Sequence, residues 1–155
     1  VAKAKDILTL IEADHRKVEE LFEELEKSKS SKKTYECLTQ LYKELNLHAK
    51  AEELVFYPAM REYDETAEFI EEAEEEHEEA EVLLEEIKAT SPTDDQFKTK
   101  IEQLKKAVQH HVEEEENQIF EAVRGCMEDD ELKSLGKEFQ DAKVKLEDEV
   151  VAAIK

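Results

Sequence analysis

The stretch His111-Val112-Glu113-Glu114-Glu115 decides how this chain is read. A run of three glutamates ordinarily marks a solvated helix face. Phase argues otherwise for the last of them. Phe97, Ile101, Leu104, Val108, His111, Glu115 and Ala122 recur at steps of three, four or seven residues, the spacing of one helix face. His111 and Glu115 therefore stand inside an apolar stripe, one helical turn apart and projecting the same way. His48-Ala49-Lys50-Ala51-Glu52 repeats the arrangement, set among Leu38, Leu41, Leu45, Val55 and Ala59. Burying an unpaired carboxylate in such a seam costs on the order of several kcal/mol. A cation removes that cost, and imidazole nitrogen with carboxylate oxygen suits iron, manganese or zinc.

Two more histidines fall on apolar stripes. His15 lies among Ile7, Ile11, Val18, Phe22 and Leu25, and His77 among Ile70, Ala73, Ala80, Leu84 and Ile87. His15 and His77 are 62 residues apart, and His48 and His111 are 63 apart. The flanks agree as well: Asp14-His15-Arg16-Lys17-Val18-Glu19 resembles Glu76-His77-Glu78-Glu79-Ala80-Glu81. The chain thus repeats a helical hairpin. Pairing two hairpins about a pseudo-twofold axis predicts an all-α, up-down-up-down four-helix bundle with one inward histidine per helix. The fifth histidine, His110, is one residue off the stripe and is expected to be exposed.

Local signals place the elements. Asp6 is a plausible N-cap of the first helix. The polar run Ser28 to Lys33 reads as a connection, with a second helix from about Thr34. Pro58 is expected to kink or end that helix by removing a donor. A third helix runs from near Asp64 to Lys88, and Ser91-Pro92-Thr93-Asp94 is a loop with a cap. The fourth runs to about Arg124, with Gly125 suited to its C-terminal cap. Residues 129–154 carry Leu132, Leu135, Phe139, Ala142, Leu146 and Val150 at helical spacing but no inward histidine. The expectation is one domain over 1–155: a four-helix bundle over 6–124 and an additional C-terminal amphipathic helix. Cys37 and Cys126 should lie at opposite ends of the bundle, too far apart for a disulfide. Phe22, Tyr42, Phe56, Tyr57 and Phe120 are expected to pack in or beside the core, with some free to line a small-ligand pocket.

Composition fits a bundle with a charged exterior: 39% of residues are hydrophobic, 42% charged, with two Gly and two Pro. A net charge of −21 argues against nucleic acid and anionic membrane surfaces as partners, since both need a basic patch. There is no N-terminal apolar run and no span of about 20 apolar residues. With two cysteines lacking framework spacing, this leads to an expected cytoplasmic location.

The set Asp14-His15, His48-x-x-x-Glu52-Glu53 leading to Phe56-Tyr57-Pro58, Glu76-His77, and His111-x-x-x-Glu115-Glu116 leading to Ile119-Phe120 resembles the hemerythrin-like, or HHE cation-binding, family. The resemblance covers residues 6 to about 124. It implies a non-haem di-iron centre with two iron ions as cofactor, manganese or zinc being possible substitutes. One iron would take His77 and His111, the other His15 and His48, with Glu52 and Glu115 bridging. Hemerythrins proper carry a second histidine one turn after the third-helix histidine; here Glu81 stands in its place. As a ligand, Glu81 would add negative charge and hard oxygen character, favouring the ferric state. Glu19, its repeat mate, is a weaker candidate. The function implied is binding of dioxygen or a related small ligand, or sensing of oxygen or iron. An oxidase- or peroxidase-type activity on oxygen, peroxide or nitric oxide is the alternative. Ferritin-like iron handling comes third: Glu12-x-x-His15 and Glu74-x-x-His77 match its spacing, but that plan uses two histidines where every helix here supplies one. Without cations, the two inward carboxylates are like charges in a low-dielectric seam, an arrangement expected to raise carboxyl pKa values.

Overall fold

Four apolar stripes of similar length need one another to be buried, and the chain satisfies them by folding back on itself at short polar connections. The computed structural model of the chain describes residues 5–154. Helix α1 (Ile7–Lys27) starts where Asp6 Oδ1 accepts the Thr9 N–H at 2.8 Å. Helix α2 (Ser31–Ala51) begins three residues earlier than Thr34, because the Ser30 hydroxyl caps it by accepting the Lys33 N–H at 3.1 Å. A π-helical turn (Glu52–Phe56) and α3 (Tyr57–Met60) continue it. The third expected helix is divided into α4 (Asp64–Ala67) and α5 (Ile70–Lys88), with the buried Thr66 hydroxyl donating to Met60 O at 2.7 Å in the corner before them. Asp94 caps α6 (Asp95–Glu114) by accepting the Gln96 N–H at 2.8 Å; a second π-turn (Glu115–Ile119) and α7 (Phe120–Cys126) follow. Helix α8 (Asp129–Ile154) closes the chain. Among the described residues there is no strand, and no helix is long and apolar enough to cross a membrane.

The two π-turns are the main departure from the periodicity read in the sequence. In each, an N–H reaches back five residues, Tyr57 to the Glu52 carbonyl and Phe120 to the Glu115 carbonyl. The extra residue shifts the apolar stripe beyond it by one position. Phe56 and Val123, both fully buried, hold the places expected for Val55 and Ala122, which are only partly buried. Pro58 does not end the helix: it lies in the first turn of α3, where a missing donor is tolerated. Proline is not the cause of the wide turn either, since the second one forms without it. Both begin at the inward glutamate. Gly125 lies inside α7 with no positive φ, so it is not the expected cap; the helix ends because buried Met127 turns the backbone extended.

The core lies in two apolar clusters. One holds Val18, Phe22, Leu41, Leu84, Ile101 and Leu104; the other holds Ile7, Ile11, Phe56, Met60, Phe120 and Phe139. Between them, at mid-helix, lies the layer of histidines and inward glutamates. Helix α8 packs against α1, α2 and the first π-turn. Gly136 makes that approach possible, because any Cβ there would collide with the backbone of Lys5 to Ile7. Cys37 is in the first cluster and Cys126 borders the second; both are free thiols.

Candidate metal centre

His15, His48, Glu52, His111 and Glu115 are buried, and His77 nearly so. Their donor atoms gather into two groups, each within 4.8 Å: His15, His48 and Glu115 in one, His77, His111 and Glu52 in the other. Each group pairs two histidines of one hairpin with the glutamate of the other hairpin. Each carboxylate also reaches both groups. Glu52 Oε1 is 3.0 Å from His48 Nε2 and 3.2 Å from His77 Nε2. Glu115 Oε1 is 3.0 Å from His15 Nε2, and its Oε2 is 3.4 Å from His111 Nε2. The π-turns act here, because each widens the helix at the residue that must lean across the bundle axis.

Despite this proximity, the four carboxylate oxygens of Glu52 and Glu115 and the Nε2 atoms of His15 and His48 have no aligned hydrogen-bond partner. Buried polar atoms are rarely left so. A layer of orphaned donor atoms converging in two groups is what a pair of cations would satisfy, and the mixture of imidazole and carboxylate suits iron, manganese or zinc. The residues present therefore fit the implied metal pair.

A ring of carboxylates holds the histidines from outside. His48 Nδ1 donates to Asp14 Oδ2 at 2.8 Å, His111 Nδ1 to Glu76 Oε1 at 2.8 Å, and His15 Nδ1 to Glu116 Oε2 at 2.6 Å. His77 Nδ1 faces Glu53 at 3.8 Å, too far for a hydrogen bond. A carboxylate can only accept, so each of the three bonds fixes the proton on Nδ1 and turns Nε2 inward. The signal for this ring was in the sequence: Asp14 and Glu76 directly precede their own helix's histidine, and Glu53 and Glu116 directly follow the inward glutamates, all at repeat spacing. Spacing alone does not show that Asp14 serves His48 on the neighbouring helix rather than His15 beside it.

The layer is strongly polarised. Burial disfavours a charged His48, but the Glu52 charge and the Asp14 bond overcome it and push its pKa to about 10. His15, His77 and His111 are raised in the same way, against burial, by the carboxylates they face. Burial pushes the Glu115 carboxyl up, but the His111 charge and the His15 contact hold it well below the usual carboxylate range. For Glu115 the like-charge expectation is therefore reversed: imidazoliums, not the other carboxylate, dominate its surroundings.

Tyr57 is among the aromatics expected to pack in or beside the core, some of them free to line a small-ligand pocket. It is fully buried, and its hydroxyl shares a 3.0 Å hydrogen bond with His77 Nε2. Burial and the charges of Glu52 and Glu115 raise its pKa well above the usual tyrosine value, which keeps the hydroxyl protonated. Its repeat mate is Phe120, which is also fully buried. A cavity of about 100 Å³ reaches all four histidines between Val18, Leu45, Leu84 and Val108. Exposed Glu53 and Glu81 stand on its outer side, so Glu81 lines the approach and lies outside both donor groups. Glu12 and Glu19 are outside them too; Glu19 is paired with Arg16. The His110 side chain is 63% exposed and contacts Glu76 and Glu114.

Comparison with known proteins agrees with this geometry. The model of the hemerythrin HHE cation binding domain matches residues 6–123. A DNA nickase from Nostoc sp. (strain PCC 7120 / SAG 25.82 / UTEX 2576) is 38% identical over 142 residues, covering 92% of this chain. The chain spans 40% of the length of that relative. A hemerythrin HHE cation binding domain-containing protein from Mycobacterium kansasii has the same fold, with a TM-score of 0.84 at 19% identity over 94% of this chain and 89% of the other. By its matched domain and its ring of histidines and glutamates, this chain belongs to the hemerythrin HHE cation-binding family.

Proposed function

We propose that the chain holds two iron ions between its hairpins and uses them to bind dioxygen or another small ligand of similar size. One observation carries this reading: two interlocked groups of buried donor atoms in which the Glu52 and Glu115 oxygens and the Nε2 atoms of His15 and His48 have no hydrogen-bond partner. His15, His48 and Glu115 would hold one ion, and His77, His111 and Glu52 the other, with each carboxylate shared. When bound, such a pair supplies electrons and open coordination positions for a small ligand. The protein supplies the rest. Asp14, Glu76 and Glu116 hold three imidazoles with Nε2 inward. Val18, Leu45, Leu84 and Val108 wall the inner part of a cavity of about 100 Å³, room for a diatomic or peroxide-sized molecule. The Tyr57 hydroxyl, protonated and dry, is a hydrogen-bond donor beside the centre. Manganese or zinc suits the same ligands, and a cytoplasmic location suits the two free thiols.

A second reading is an oxidoreductase acting on oxygen, peroxide or nitric oxide. Tyr57 favours it, since a buried, protonated hydroxyl beside a donor histidine can hydrogen-bond a reduced oxygen species. Ferritin-like iron handling gains no support: Glu12 is exposed and Glu74 is paired with Arg61. Nicking of DNA belongs to the longer Nostoc relative; the −21 charge of this chain opposes contact with a phosphate backbone.

Anaerobic reduction of the iron-loaded protein, then exposure to oxygen under optical spectroscopy, tests the proposal. A visible band that forms and is removed reversibly over repeated cycles is expected for ligand binding. A single irreversible change would indicate oxidase chemistry or simple autoxidation in place of reversible binding. A protein holding two irons with no spectral response to oxygen, azide or nitric oxide overturns both.

A further inference from the structure

We infer that Lys143, on α8, is a positioning residue that makes the two halves of the centre unequal. The inference rests on the two-iron reading above and adds which half differs and why. Lys143 Nζ donates to Asp14 Oδ1 at 2.6 Å, while Asp14 Oδ2 accepts from His48 Nδ1 at 2.8 Å. The chain of contacts is short and enclosed: the Lys143, Asp14 and His48 side chains are 22%, 15% and 8% exposed. Phe139, one turn earlier on α8, sets its ring edge-on to His48 at 6.1 Å, and the Lys143 ammonium lies 5.6 Å from the same ring. Helix α8 is held there by Gly136 against the start of α1.

The repeat supplies an internal control. At the matching place in the second hairpin, Glu76 Oε1 accepts from His111 Nδ1, also at 2.8 Å. Its other oxygen meets no lysine; His110, which is largely exposed, lies 3.3 Å away. His48 and His111 are therefore held alike, but of Asp14 and Glu76 only Asp14 is shared with an enclosed ammonium; Glu116, behind His15, is paired with the half-exposed Arg16 guanidinium.

A carboxylate behind a metal-binding imidazole raises its basicity and so its donation to the metal. An ammonium on the far oxygen draws that charge away. His48 is accordingly the weaker donor of the pair, and the ion it shares with His15 is the more readily reduced. Helix α8, which contributes no donor atom to the centre, sets this difference between His48 and His111.

The test compares the iron-loaded protein with its Lys143→Met, Lys143→Arg and Lys145→Met variants. Lys145 is exposed on the same helix and controls for net charge. Iron content is measured first, because failure of the unaltered protein to hold two irons defeats the underlying reading and not this one. The two midpoint potentials are then followed by spectroelectrochemistry. Lys143→Met should favour the ferric state of one ion by about tenfold, lowering one midpoint by about 59 mV and leaving the other in place. Lys143→Arg should return it to the original value. Unmoved potentials, an equal shift of both, an equal effect from Lys145→Met, or a Lys143→Arg variant that behaves like Lys143→Met would each overturn the inference.

Discussion

Over the first hairpin, α8 covers the bundle, Phe139 meets the edge of His48, and Lys143 anchors the carboxylate behind it. Over the second hairpin the same position is open, with His110 exposed and Glu76 shared between His110 and His111. Inside the layer the asymmetry runs the other way. The second half offers Phe120 and a tight Glu116–His15 bond, whereas the first offers the Tyr57 hydroxyl and a Glu53 carboxylate that stops 3.8 Å short of His77. The duplicated sequence therefore fixes where six donors stand. What packs around each donor, from elements outside the repeat and from single substitutions within it, gives each half its own chemistry.

The largest effects should follow from removing a shared carboxylate. Glu115→Ala should lose at least one iron per chain, because Glu115 contacts a histidine in each donor group. Glu114→Ala should retain full iron content, since its side chain is about 100 degrees away around the helix. Metal analysis of the two variants settles it, and equal losses would mean that the assigned register is wrong.

The next effect is on stability and pH. In the metal-free protein His48 has a pKa of about 10 against an ordinary value of 6.5, so the folded state holds this proton more tightly. That contribution is fully present below pH 6.5 and is lost as pH rises toward 10. Bound metal displaces the proton, so the loaded form gains as pH rises and loses as acid competes for the ligands. The melting temperatures of metal-free and loaded protein should lie furthest apart above neutrality and converge toward about pH 5. Parallel profiles would contradict a metal site built on His48.

Exchanging Tyr57 and Phe120 probes the inner asymmetry. Phe120→Tyr places a hydroxyl where Phe120 is fully buried and should cost about 1–3 kcal/mol in chemical denaturation. Tyr57→Phe should leave iron content intact but weaken azide binding roughly fivefold, the loss of about one hydrogen bond. Unchanged azide affinity would remove Tyr57 from the ligand site. The smallest change is expected from Glu81→His, because Glu81 lies exposed outside both donor groups. Iron content should be unaltered; a gain in affinity would show that position 81 reaches the metal.

Much of this was legible in one dimension, for identifiable reasons. The stripes through α1, α2, α5 and α6 were readable because helical period and burial coincide there, and the 62- and 63-residue offsets exposed the hairpin repeat. Past Glu52 and Glu115 the reading slipped by one residue. A π-turn leaves no mark in composition, and Val55 and Ala122 are as apolar as the Phe56 and Val123 that are buried instead. The outer carboxylates were visible as doublets, but their partners lie across helix interfaces that spacing cannot reveal. Lys143 was invisible for a similar reason: among many charged residues, only the seating of α8 singles it out.

The central claim is that one pair of metals joins the two hairpins through shared carboxylates. Anaerobic iron loading, followed by metal analysis and Mössbauer spectroscopy of the same oxidised sample, tests it most directly. Close to two irons per chain, magnetically coupled and present as two inequivalent sites in equal amounts, is the predicted result. A single iron per chain, or two irons with no magnetic coupling, would contradict it.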